Sequence, residues 1–243
     1  MKKILVFIAT ITLFFSLLTF AQETVKYDPP APKWLNGLIL SDYASIRKAL
    51  KISDDVALNL VTLHDENNEK NLEEECFVEF LLNVVLQLEQ ISSDFTTSGS
   101  GDSVSKIEFG STTLLYKVVA KDESRKILIV NEKLPVSREM EIGKISMEDA
   151  AVLFSAMYAA CPQFFNTIKT EYKLIQNVSR TEGKSKVKER YKIGHILYSF
   201  NKEQYKNFIK AYVAQKLDKE TDEDIKIITI KTMNNVLAAI DKN

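Results

Sequence analysis

The stretch from Asn71 to Ile91 constrains this chain most, because it has the spacing of a helix and almost no polar face. Cys76, Phe77, Phe80, Leu81, Val84, Val85 and Leu88 share one broad side with Val78, Leu82 and Leu86. Against them stands a thin polar stripe of Glu75, Glu79, Asn83, Gln87 and Gln90. A helix that is apolar around most of its circumference must be surrounded by protein, so this segment is read as the centre of a core. Asn71 can cap it, and Glu73, Glu74 and Glu75 stand near the positive end of its dipole.

Other helix signals surround it. Ser41, and Ser53 followed by Asp54 and Asp55, predict two short helices with apolar stripes Tyr43, Ile46, Leu50 and Ala57, Leu60, Val61. Ser146 with Asp149 has the pattern of a capping box, and an apolar stripe runs on through Leu153, Met157, Phe164, Ile168 and Tyr172 to Ile175. Pro162 must interrupt that stripe, breaking it near Ala160 and opening a second helix. Asn201 with Gln204 predicts a further helix through Phe208, Ile209, Tyr212, Val213 and Leu217. Thr221 with Asp224 predicts a closing one through Met233, Val236, Leu237 and Ile240.

The segments 107–109, 112–120 and 126–130 are instead rich in β-branched and aromatic residues, with a polar turn at 121–125, which predicts a small antiparallel element. The low-complexity polar run 92–105 reads as a flexible loop, and 179–192 as a polar, basic connector. Pro29, Pro30 and Pro32 make residues 22–40 an extended leader. The fold class expected is therefore mainly α, with residues 41–243 forming one domain: a helical bundle with an inserted β-hairpin or short sheet near 107–130.

At the N-terminus Lys2 and Lys3 precede an apolar run from Ile4 to Phe20, and Thr19-Phe20-Ala21 offers the small-x-small pattern of a cleavage site. Residues 1–21 are read as a secretory signal peptide cut after Ala21, which sends the chain to a periplasmic or extracellular location. No Cys follows the run, so lipid attachment is not indicated. Removing Lys2 and Lys3 takes the formal charge from −1 to −3, too acidic overall to expect nucleic acid as a partner. Arg supplies five of thirty-two basic residues, a Lys-rich usage that fits a bacterial chain.

Chemistry is sparse. Cys76 and Cys161 are the only cysteines, both fall on apolar faces of expected helices, and the export signal makes a disulfide between them a candidate; two buried thiols are the alternative. His64, Asp65, Glu66 and Glu69 are the densest set of metal-ligand types, but they lack the spacing of a zinc or calcium site and read better as a solvated acidic turn, so no metal is assigned. Gly99-Ser100-Gly101 is not a nucleophile elbow, and His195 beside Gly194, Ile196 and Leu197 reads as a packed imidazole, so no catalytic residue and no cofactor is assigned. Asn177-Val178-Ser179 matches a glycosylation sequon, meaningful only in a eukaryotic secretory route.

The basic set Arg180, Lys184, Lys186, Lys188, Arg190 and Lys192 is the one local charge asymmetry. It is a candidate contact for an unknown protein or an anionic envelope component, including a peripheral membrane surface. The expectation is a non-enzymatic binding or interaction protein of the bacterial envelope or exterior. A hydrolase assembled from carboxylates and His64 or His195 is the alternative.

Overall fold

A computed structural model describes residues 23–35, 43–67, 71–92, 95–97, 100–109, 111–131, 137–182 and 186–242. The segment read as a signal peptide lies outside them. Two antiparallel sheets organise the molecule. Sheet A has four strands: β1 (Glu23–Asp28), β2 (Val56–Asp65), β8 (Lys169–Glu182) and β9 (Lys186–Asn201), in the order β1-β8-β9-β2. Sheet B is a meander of β3 (Phe95–Thr97), β4 (Ser103–Phe109), β5 (Thr112–Val118), β6 (Arg125–Asn131) and β7 (Arg138–Glu141). The helices are α1 (Tyr43–Leu50), α2 (Leu72–Ser92), α3 (Met147–Tyr158), the single turn α4 (Pro162–Phe165), α5 (Lys202–Lys219) and α6 (Glu223–Lys242).

This is a mixed α/β fold, and it overturns the expected helical bundle. The second short helix is β2, the second half of the 146–175 stripe is β8, and the basic connector is the distal part of the β8–β9 hairpin. The polar run 92–105 is not a continuous loop either, since Phe95–Thr97 pair with Ser103–Ser105. The cause is visible in β2, where Ala57 and Leu58 are both buried. A strand covered on both faces loses the polar alternation that marks a half-exposed one, and its apolar residues then fit a helical stripe by coincidence.

Helix α2 packs between the two sheets. One side meets β2 and β9, the other meets β4, α3, α5 and α6. Cys76, Val78, Phe80, Leu81, Leu82, Val84, Leu88 and Ile91 are all buried within one large core shared with both sheets. Gly194 of β9 eases the contact: a Cβ there would stand 3.2 Å from Leu72 Cβ, so any other residue would require the first turn of α2 to give by a few tenths of an ångström.

The polar stripe of α2 is largely internal. Glu75, 4% exposed, accepts backbone N–H bonds from Gly143 (3.3 Å) and Ile145 (3.1 Å). Glu79 accepts from Arg125 Nη1 at 3.1 Å, and Gln87 accepts from the Tyr205 hydroxyl. Asn83 and Gln90 alone of the five stay exposed. The stripe therefore fastens α2 to sheet B and its flanking elements by hydrogen bonds that satisfy groups otherwise costly to bury.

Local capping chemistry behaves as its residues dictate. Ser146 and Asp149 form the reciprocal box of α3, Pro162 opens α4, and Asn201 accepts from the Gln204 amide at the start of α5. In α6 the cap is Asp222, which accepts from the amides of Asp224 and Ile225, and not Thr221. Among the described residues no helix is long and apolar enough to cross a membrane.

Candidate functional site

Sheet A has one face against α2 and a second that is only partly covered. Antiparallel register assigns that second face row by row: Thr62, His195 and Leu174; then His64, Ile193 and Gln176; then Tyr191, Val178 and Tyr27; then Glu189, Arg180 and Val25. Its upper part is closed by α1 and the leader, where Leu35, Ile46, Leu58, Leu174 and Leu197 form a second, smaller core and Trp34 packs edge-on against Tyr172 at 4.6 Å. Arg47 holds this cover in place, its guanidinium donating to the carbonyls of Ser53 and Val56 at 2.6 Å each.

Below that cover the chain leaves β1 at Asp28 and crosses over the sheet. Gln176 Nε2 donates to the Pro29 carbonyl at 2.6 Å, and Gln176 is itself only 1% exposed. Between leader and sheet lies a cavity of about 690 Å³, walled by Val25, Tyr27, Pro30, Ala31, Leu35 and Ile193, with Gln176 and His195 on its floor and Thr24 and Lys26 along β1. That volume falls in the range of small-molecule sites, about 300–1,000 Å³, and apolar walls with a few polar groups are their usual lining.

His195 is the informative group. It is 8% exposed, and its Nδ1 is engaged with Thr62 Oγ1 at 3.0 Å. Its Nε2 has no hydrogen-bond partner among the described residues. Burial, and secondarily the neighbouring His64, hold the imidazole below its ordinary pKa, so it is neutral at pH 7. Whichever tautomer the threonine bond selects, Nε2 is left as the opposite kind of group, one able to meet a ligand atom.

A second, polar cavity of about 550 Å³ lies farther down the face, lined by His64, Glu66, Asn67, Arg180, Glu189, Arg190 and Tyr191. There Arg180 and Glu189 are 3.3 Å apart and His64 stacks on Tyr191 with ring centroids 6.1 Å apart.

The residues singled out in the sequence are distributed as follows. His64 and Asp65 are successive strand residues and so point to opposite faces, His64 exposed and Asp65 1% exposed, which splits the candidate metal set; Glu69 lies outside the described residues. Among the described residues no group of three or more His, Cys, Asp or Glu is placed to hold a metal. Arg180, Arg190 and Lys192 sit on the hairpin strands, as do the backbones of Lys186 and Lys188, while Lys184 lies outside the described residues.

The candidate disulfide is not formed: Cys76 and Cys161 are both free. Cys76 packs beneath Gly194 against sheet A, whereas Cys161 stands in the turn before α4 beside a cavity lined by Thr112, Phe208 and Tyr212. A face shared with apolar residues is not a shared neighbourhood. Thr62, Gln176 and Ile193 belong to no motif; the alternation of Tyr172, Leu174, Gln176 and Val178 in the sequence could have marked their face.

The sequence matches none of the models of known protein families, and no curated protein matches it.

Proposed function

We propose that this chain is an exported, non-enzymatic binding protein of the bacterial cell envelope or exterior, and that its site is the cavity between leader and sheet A. The observation that carries the reading is a buried imidazole with one uncommitted nitrogen on the floor of a mostly apolar cavity of about 690 Å³. Nothing bonded to either histidine ring among the described residues is a carboxylate, and the partner of His195 is a hydroxyl, an arrangement suited to holding a ligand. The N-terminal Lys2-Lys3 and apolar run support export.

The test uses residues 22–243 and the neutral fluorophore N-phenyl-1-naphthylamine. Saturable one-to-one enhancement is expected, and it should be lost in Ile193→Trp, which fills the cavity from the sheet, and in Ala31→Phe, which fills it from the exposed leader. Binding that both folded variants retain would place the probe elsewhere and refute the assignment.

A further inference from the structure

Resting on that cavity, we infer that its ligand is an uncharged alcohol with an apolar body, and that its hydroxyl is shared between His195 and Gln176. The absence of charge follows from which side chains face the space. Along β1, Thr24 and Lys26 alternate with Val25 and Tyr27, so their side chains lie on the opposite face of sheet A, where Lys26 borders a groove with Asp28, Ser179 and Arg190. What remains of the cavity lining carries no charge: aliphatic and proline side chains, Tyr27, Gln176 and the neutral His195. An ionised group led inward would give up its water and meet no counter-charge.

Register brings the two buried polar groups together. Gln176 stands opposite Ile193, and Leu174 opposite His195, which makes Gln176 and His195 diagonal neighbours on one face, within reach of a single small group. Gln176 donates an amide N–H to the Pro29 carbonyl, and its Oε1 has no hydrogen-bond partner among the described residues. That oxygen calls for a donor. His195 Nε2 is open in the same way, its Nδ1 being held by Thr62.

One hydroxyl serves both. The Thr62 hydroxyl donates to Nδ1, the Nε2–H donates to the ligand oxygen, and the ligand O–H donates to Gln176 Oε1, so that all three buried atoms are satisfied. The apolar body then runs over Ile193 toward Tyr27 and Val25, in the order of the strand rows. An ether supplies the acceptor without the donor, and a hydrocarbon supplies neither. Sites built around buried polar groups reject ligands that lack their complement.

Displacement of the fluorophore from residues 22–243 by octanol, methyl octyl ether, octanoate and octylammonium near neutral pH separates the claims. Octanol should bind about tenfold tighter than the ether, and the two ions should be weaker still. His195→Phe should weaken octanol and the ether alike, since both accept from Nε2–H, and an unchanged affinity would remove His195 from the site. With octanol bound, nitrogen NMR should find the imidazole proton on Nε2; a proton on Nδ1 would overturn this chain of bonds. An ether as tight as octanol would overturn the shared hydroxyl, and an ion as tight would overturn the uncharged head group. If none of the four displaces a probe that Ile193→Trp excludes, the ligand class is wrong and the cavity stands. If the probe itself does not bind, the cavity assignment fails and this inference fails with it.

Discussion

Glu75 offers the sharpest test of how the two sheets are joined. Its carboxylate, in the first turn of α2, accepts the amides of Gly143 and Ile145 in the segment linking β7 to α3, at 3.3 and 3.1 Å. Hydrogen bonds to a charged acceptor contribute about 1.5–3 kcal/mol each, and an orphaned buried amide costs about 1–3 kcal/mol. Glu75→Leu keeps the bulk and removes both acceptors, so a loss of roughly 2–5 kcal/mol is expected. Glu75→Gln retains one acceptor oxygen and should lose about half as much. For a chain of this size, where 1 kcal/mol moves the midpoint by about 2–4 °C, the leucine variant should melt roughly 5–15 °C lower. Equilibrium urea unfolding at constant m-value measures the difference, and hydrogen exchange at the Gly143 and Ile145 amides reports the bonds directly. Glu74→Gln is the control: it sits in the same turn, shares the helix-dipole contribution of about 0.3–1 kcal/mol, and should change stability by no more than that. A leucine variant as stable as this control would show that Glu75 tolerates burial without fastening α2 to the β7–α3 segment.

Two further outcomes follow from buried titratable groups. A thiol reagent should count two free thiols in the denatured chain, while in the native protein Cys161 reacts and Cys76 resists, because burial and then the nearby Glu75, Glu79 and Glu73 push its thiol up to about 12; a single fast phase for both thiols contradicts this packing. For His195 the folded pKa lies below the ordinary 6.5, so the unfolded chain binds the proton more readily, and the stability present above pH 6.5 is lost as pH falls through the lowered value. Melting curves between pH 7.5 and 5 should therefore be flatter for His195→Gln than for the parent, and parallel curves would reject the assignment.

What the sequence discloses about this fold divides along physical lines. Caps are local chemistry, a side chain and an amide three residues away, and so Ser146–Asp149, Pro162 and Asn201–Gln204 mark their helices from sequence alone. Strands β4 to β6 are rich in β-branched residues, and their β character is equally plain. The start of β2 at Ala57 and Leu58 and the second half of β9 hide because both faces are covered there, and β8 hides because Ile168, Tyr172 and Ile175 fit a helical spacing while Tyr172, Leu174, Gln176 and Val178 fit a strand equally well. Lys186-Val187-Lys188-Glu189-Arg190-Tyr191-Lys192 does alternate at a period of two, a strand signal masked by its charge. The α2 stripe misleads in the same way, since Glu75, Glu79 and Gln87 look like a solvent face until their partners at 143–145, 125 and 205 are known.

The site is less legible than the fold because it arises from a mismatch of lengths. Strands β8 and β9 hold 14 and 16 residues, so at about 3.3 Å each they run roughly 46 and 53 Å. Helix α2, with 21 residues, spans roughly 32 Å of one face, whereas α1, with 8, covers at most about 12 Å of the other. The remainder of that second face falls to the leader, and a chain with Pro29, Pro30 and Pro32 lacks the donors to extend the sheet and the side-chain bulk to fill the space beneath it. It crosses at one hydrogen bond, Gln176 to Pro29, and leaves a gap with His195 at its floor. A bulky leader would have closed the gap into core. The prolines and Ala31 keep it open, which is why the binding reading rests on the leader as much as on the sheet.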